Sequence, residues 1–306
     1  MMTPHPPARR TTKRWMVAGL VAAAAVVLVA AGVATYLFVF HTSSPKQIAL
    51  PFAGLVRPGD VAVDRTGAVY VADYADGHND RVLKLAAGAS TPTVLPFTGL
   101  KNPIHMAADN AGNVYVVDET NTRVLKLAAG ASTQAELPFD GVPASNIAVD
   151  NSGGLYVIGR VHDSFRVLKL AAGSSSTTEL PLGELHGSSG FGLAVDSAGA
   201  VYVADSSYQQ VLKLPAGSTS PIKVPFTGLK SPAGVGVDGA GAVYVTDDIG
   251  LSSGGRVLKL AAGSSAQTEL PFTGLSVPEG VAVDAAGNVY VADRNHDRVL
   301  KLPPQV

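Results

Sequence analysis

The chain is 306 residues long, 46% hydrophobic and 15% charged, with 33 Gly, 20 Pro and a formal net charge of −1. It has no cysteine, which excludes disulfides, thiolate metal sites and cysteine nucleophiles. Of its 23 basic residues, Arg9, Arg10, Lys13 and Arg14 precede position 15, and the other 19 stand against 24 acidic residues, so the basic face that a phosphate backbone requires is missing and nucleic acid is not an expected partner.

From Trp15 to Phe40 a run of 26 residues carries no formal charge, and about 20 apolar residues already span a bilayer as a helix. The cations lie on its N-terminal side only, and Trp15 and Tyr36 suit the two interfaces. This predicts a cytoplasmic tail over 1–14, a transmembrane helix over 15–40, a linker over 41–47 and an extracytoplasmic domain over 48–306, hence a single-pass protein of the cell membrane. A cleaved export signal is the competing reading, but its apolar core is usually about 7–15 residues long. Here the apolar run continues through Tyr36 to Phe40, which favours an uncleaved anchor.

Beyond the linker the chain repeats. A Tyr within V-Y-V or a near variant recurs at Tyr70, Tyr115, Tyr156, Tyr202, Tyr244 and Tyr290, spaced by 45, 41, 46, 42 and 46 residues. Six residues before each Tyr stands an Asp (Asp64, Asp109, Asp150, Asp196, Asp238, Asp284), and V-L-K-L follows. The pieces GVAVD, NVYVAD and RVLKL are short, rich in β-branched residues and separated by turn residues, so they read as antiparallel strands. A piece such as Thr268 to Phe272 supplies a fourth, outer strand. Six such units of about 44 residues predict an all-β, six-bladed β-propeller with four-stranded blades. The last unit stops at Leu302 without the usual L-P-F, while an unpaired Leu50-Pro51-Phe52 opens the domain. The N-terminal strand is therefore expected to complete the sixth blade and close the ring.

The only Trp is Trp15, so the Trp-Asp dipeptide of WD40 blades is missing. The series Pro278 to Asp284, Gly287 to Asp293 and Asn295 to Leu302 instead resembles the NHL repeat family, and the resemblance extends over all six units. A membrane helix followed by such a propeller is similar to the extracytoplasmic sensor domain of a mycobacterial receptor serine/threonine kinase, which implies a sensor. Kinase activity is not implied, because no Gly-rich loop, lysine strand or H-R-D motif occurs.

Comparing the six units with one another separates two faces. The turn after the first strand (DRTGA, DNAGN, DNSGG, DSAGA, DGAGA, DAAGN) and the A-A-G or P-A-G after V-L-K-L are nearly uniform. The opposite links differ: Tyr74–Asp80, Glu119–Thr122, Arg160–Phe165, Ser206–Gln209, Asp248–Gly255 and Arg294–Asp297, with long and short alternating. Gly183–Gly190 enlarges the approach to the fourth blade. Rigid scaffolds carry their binding sites on such loops, so this loop-rich face is the expected recognition surface, with Tyr74, Phe165 and Phe191 among its candidates. Near the axis of the same face the residues four before the first Asp are Asp60, His105, Asn146, Gly192, Gly234 and Gly280, and Glu279 lies beside the last. Asp60, His105, Asn146 and Glu279 complete the candidate ligand-binding set. As a metal or ligand constellation a His, an Asp and an Asn from separate blades is weak, and the preferred reading of these three is solvated residues of a channel mouth.

Several apparent motifs carry no chemistry. Asp73 with Arg81, Asp118 with Arg123, Asp247 with Arg256 and Asp293 with Arg298 repeat at fixed blade positions, as structural pairs do. Gly159 and Gln210 break this pattern in the third and fourth blades, which are expected to be looser. Gly234 to Gly239 fits G-x-G-x-x-G but sits on a strand and its turn rather than at a helix N-terminus. No G-x-S-x-G occurs. His78 with Asp76 and Asp80 reads as a solvated loop rather than a cation site.

The expectation is thus a non-enzymatic, cell-surface binding or sensor propeller for a protein, peptide or glycan ligand, monomeric, without cofactor or metal and acting through a separate membrane signalling partner if it signals. A lyase or lactonase with a metal-assisted site at the channel mouth, and a structural scaffold subunit of a membrane complex, are the alternatives.

Overall fold

Each unit folds into one antiparallel four-stranded sheet, and there are six sheets. The computed structural model describes residues 46–75, 79–139, 141–185, 191–250 and 254–304. The expected tail and transmembrane segment, and the linker up to residue 45, lie outside the described residues. Among the described residues no helix is long and apolar enough to cross a membrane.

The blades differ little in plan. Blade 1 comprises Pro58–Val63, Val69–Asp73, Arg81–Leu85 and Thr93–Val94, paired in that order. The second strand of a blade has neighbours on both sides and on both faces, so V-Y-V-A-D is buried throughout, and the same holds at Val114–Asp118, Val201–Asp205 and Val289–Asp293. The third strand, R-V-L-K-L, buries its Val and both Leu and leaves its Arg and Lys partly exposed. Outer strands are two or three residues long, which limits the edge open to foreign pairing.

The hydrophobic core is divided into six clusters, each lying between two consecutive blades. Between blades 4 and 5, for instance, Tyr202, Val211 and Phe226 pack with Val235, Val245 and Leu258. The Leu-Pro-Phe segment does not extend the outer strand as expected; that strand ends before it, as at Gln267–Glu269. The aromatic ring turns inward instead, and Phe52, Phe139 and Phe226 are buried wedges between neighbouring blades.

The repeated Asp, Tyr and Lys form one motif. In all six blades the Tyr hydroxyl donates to the Asp carboxylate six residues earlier, at 2.8–3.1 Å. The other carboxylate oxygen accepts backbone N–H groups of the turn, and the Lys ammonium lies 4.9–5.5 Å from the Tyr ring centroid. Burial pushes the Asp64, Asp150 and Asp284 carboxyls up, but hydrogen bonds from the Thr66, Ser152 and Asn288 side chains, from the tyrosines and from the turn backbone outweigh it and hold them below the usual value.

Ring closure follows the expectation. Ile48 and Ala49 pair with Lys301 and Leu300 as the outer strand of blade 6. The Gln47 side-chain amide also brackets Thr273 of blade 5, accepting from its N–H and donating to its carbonyl. Gln134 with Thr98 and Gln267 with Thr227 make the same bracket elsewhere. The seam is therefore built like an ordinary blade-to-blade junction.

Candidate functional site: the loop-rich face and the channel mouth

The first strands of all six blades line a central channel of about 190 Å³. A register shift between Pro58 and Asp60, and between Ala144 and Asn146, breaks the regular alternation near the mouth. A bulge of this kind re-aims side chains. Asp60 and Asn146 then bridge blades. Asp60 accepts the N–H of Val61 at 2.8 Å and of Met106, in blade 2, at 3.1 Å. Asn146, only 5% exposed, accepts the N–H of Ile147 and donates to the carbonyl of Phe191, in blade 4, both at 2.7 Å.

Those two bonds fix the orientation of the Asn146 amide, so its nitrogen must be the donor toward His105 Nδ1 at 3.1 Å. His105 Nδ1 is consequently an acceptor, and the neutral ring carries its proton on Nε2. Asp60 lies 3.6 Å from the same Nδ1. The three predicted mouth residues thus lie side by side across blades 1 to 3, with Asn146 bonded to His105. In blades 4 to 6 the corresponding glycines permit close backbone contact: a Cβ on Gly192 would sit 2.6 Å from the Ala233 carbonyl, and one on Gly280 would collide with Asp60.

Glu279 joins a separate cluster. Its carboxylate accepts from Arg294 at 3.0 Å, and the Arg294 guanidinium lies 5.3 Å from the Tyr74 ring centroid, across the seam between blades 6 and 1. Sequence comparison singled out Glu279 and Tyr74 but not Arg294, which joins them. The available signal was its place directly after V-Y-V-A-D.

Phe191 and Tyr74, expected on the recognition surface, are buried beneath it. Phe191 is 2% exposed and lies in the core between blades 3 and 4, stacked obliquely on the half-buried Phe165 at 5.2 Å, and Tyr74 is 6% exposed. They shape the face from beneath. Its exposed groups include Arg160, His162, Tyr208, Asn295 and His296. Of the proposed loop trio only Asp80 lies within the described residues; its carboxylate accepts the N–H groups of Ala75 and Asn102 at 2.8 and 2.7 Å. Among the described residues no group of three or more His, Asp or Glu is placed to hold a metal ion.

The alternation of loops has a structural basis. In blades 2, 4 and 6 the link is one tight four-residue turn ending in a left-handed residue: Thr122 (φ 52°), Gln209 (φ 52°) and Asp297 (φ 50°). In blade 3 the predicted loop Arg160–Phe165 is mostly strand; Val161 pairs with Ser164, leaving only His162 and Asp163 between them. This hairpin projects beyond its neighbours. Blades 1 and 5 carry the longer links.

The Asp–Arg pairs are structural, as expected. Each Asp is fully buried, binds its Arg at 2.6–3.0 Å and accepts N–H groups from the segment leading into its blade, while the Arg donates to a glycine carbonyl there. Blade 3 is not simply looser. The Val142 side chain occupies the place a Cβ on Gly159 would take, and Arg166 pairs instead with Glu179 at 3.0 Å and Glu184 at 2.8 Å.

Fold and repeat define the class: the chain is a six-bladed β-propeller, and within it residues 275–302 match the family model of the NHL repeat. Serine/threonine-protein kinase PknD of Mycobacterium tuberculosis is 47% identical over 96 residues, which is 29% of this chain and 14% of the kinase. The similarity therefore spans a small part of the kinase. Among solved structures, a gluconolactonase from Xanthomonas campestris (14% identity, 86% of this chain and 91% of that one, TM-score 0.66) shares the fold. So does a catalytically inactive virginiamycin B lyase from Staphylococcus aureus with quinupristin (13% identity, 85% and 99%, TM-score 0.60).

Proposed function

We propose that the chain is a membrane-anchored binding protein whose extracytoplasmic propeller recognises a protein, peptide or glycan through its loop-rich face, without catalysis. The observation that carries this reading is the contrast between the two faces: uniform turns on one, and on the other loops that vary blade by blade above a rigid, internally satisfied scaffold. Similarity to part of a serine/threonine-protein kinase, together with the resemblance of the repeat to a sensor propeller, supports a sensor role, and the uncharged run from Trp15 to Phe40 supports the anchor. The hydrogen bonding of Asp60 and Asn146 to backbone, and of Asn146 to His105, supports a non-catalytic mouth.

Screening the purified chain against envelope fractions, peptide arrays and glycan arrays tests the proposal. A saturable ligand is expected, with binding lost on Arg160→Ala, Tyr208→Ala or His296→Ala, which alter exposed groups of three different blades. A blank screen, or binding indifferent to all three, would overturn it. Turnover of a lactone or cyclic peptide abolished by His105→Ala would instead establish the enzymatic alternative.

A further inference from the structure

On the opposite, turn-bearing face a cavity of about 490 Å³ opens between blades 2 and 3, with Arg65 of blade 1 at its side. Small-molecule sites commonly measure roughly 300–1,000 Å³. Its polar lining comes from Asn110, Lys126, Asn151 and Ser152 in addition to Arg65, together with the carboxylates of Asp109 and Asp150.

Asp109 accepts from the N–H groups of Ala111 and Asn113, from the Asn113 amide at 2.6 Å and from Tyr115. Asp150 accepts from Ser152 twice, from Gly154 and from Tyr156. Both carboxylates are thus filled by the turn and its tyrosine. The donors are not. Among the described residues Arg65 makes no hydrogen bond or ion pair, and Lys126 meets only the Tyr115 ring, 5.4 Å away. Asn110 donates to Asn151 at 3.0 Å, which holds two amides side by side and leaves the Asn151 nitrogen unused. The cavity therefore offers two cations and free amide hydrogens, with the Ser152 oxygen as an acceptor.

The groove between blades 5 and 6 has the same Asp, Tyr and Lys, with Thr268 as its one further polar side chain among Ala261, Leu270, Val289 and Pro304, and the turn positions of Asn110 and Asn151 are there Gly239 and Ala285. Polarity is therefore particular to the blade 2–3 cavity and not a property of the repeat.

We propose that this cavity is a second binding site, distinct from the loop-rich face, for an acidic saccharide: a sugar-sized ligand whose oxyanion meets Arg65 and Lys126 and whose hydroxyls meet the paired amides. A planar guanidinium binds an oxyanion with two parallel bonds, charge-assisted bonds are the stronger ones, and an amide N–H donates to a hydroxyl oxygen.

Titration calorimetry and ligand-observed NMR of the full chain with glucuronate, glucose and acetate test it. Glucuronate is expected to bind saturably and at least about tenfold more tightly than either glucose or acetate, since each supplies half of the recognition. Arg65→Ala is expected to weaken glucuronate binding by roughly tenfold or more, and Asn151→Ala by a smaller factor. Both residues are exposed, so thermal melting reports whether the fold is intact. Absence of saturable glucuronate binding, equal affinity for acetate, or binding unchanged by both substitutions would overturn the assignment. Failure here leaves the loop-rich face untouched, because no residue is shared.

Discussion

Blades 1 to 3 and blades 4 to 6 share one backbone plan but not one surface chemistry. At the channel mouth the first three place Asp60, His105 and Asn146 where the last three have Gly192, Gly234 and Gly280. In the turn after each Asp they place Arg65, Asn110 and Asn151 against Ser197, Gly239 and Ala285. The deeper residues make no such distinction: the Asp–Tyr–Lys motif is kept in all six blades, and the buried Asp–Arg clamp appears in both halves. The repeat thus maintains a scaffold from within, while polarity is distributed over its two ends independently. In the polar half blades are joined near the axis by the side chains of the mouth residues; in the other half glycines let the backbones approach, and the buried Thr246 of blade 5 donates to the Glu279 carbonyl of blade 6 at 2.6 Å.

The clamp gives the largest expected effect and tests whether the halves are equally built. Removing Asp118 or Asp247 leaves an Arg and backbone N–H groups without their buried acceptor, and breaking such a pair costs about 3–5 kcal/mol. Asp118→Ala and Asp247→Ala should therefore lower the unfolding free energy by similar amounts in denaturant titrations. A loss confined to one half would show that the clamps are not equivalent.

Next in size are the axial glycines. A Cβ on Gly280 collides with the Asp60 carboxylate, so Gly280→Ala should cost about 1–3 kcal/mol as overpacking. Asp60→Ala should cost a comparable amount through the lost Met106 N–H bond. The double variant should be more stable than the sum of the two predicts, because the second change removes part of the clash created by the first. Strict additivity would contradict the contact.

The Asp–Tyr motif predicts a pH profile common to both halves. Asp64, Asp150 and Asp284 have folded-state values below their ordinary 3.8, so more protons bind the unfolded chain and stability falls as pH drops through about 4 and lower. Tyr70, Tyr115, Tyr244 and Tyr290 are shifted the other way, by burial first and then by the adjacent carboxylate. Their contribution is complete below the ordinary tyrosine value of 10.0 and is lost as pH rises beyond it. Tyr290→Phe should cost about 1 kcal/mol at neutral pH and reduce the acid dependence. The smallest effect is expected at the seam: Gln47→Ala removes an exposed bracket and should lower stability by less than about 1 kcal/mol.

Much of this was legible in the sequence because the repeat supplies its own alignment. Six tyrosines gave the blade count, and the displaced Leu50-Pro51-Phe52 gave the closing strand. What escaped were features set by burial and neighbours. Phe191 reads as a loop aromatic, yet it begins a strand and lies in the core between two blades. Leu-Pro-Phe reads as strand, but its proline cannot donate to a ladder and the ring is needed as a wedge. The link Arg160–Phe165 reads as a long loop because strand extension past Gly159 has no distinct local pattern. Asp60, His105 and Asn146 were placed correctly at the mouth, but their linkage across blades depends on bulges that only the backbone reveals.

The loop-rich face and the turn face can be compared in one measurement, since the native chain has no cysteine to interfere. Tyr208→Cys and Ser197→Cys place single thiols at exposed positions on the two faces. In intact cells a membrane-impermeant maleimide should label both, and prior saturation with a ligand found in the array screen should slow labelling at 208 while leaving 197 unchanged. Labelling that requires lysis would contradict an extracytoplasmic propeller. Equal rates at 208 with and without ligand would contradict recognition through the loop-rich face.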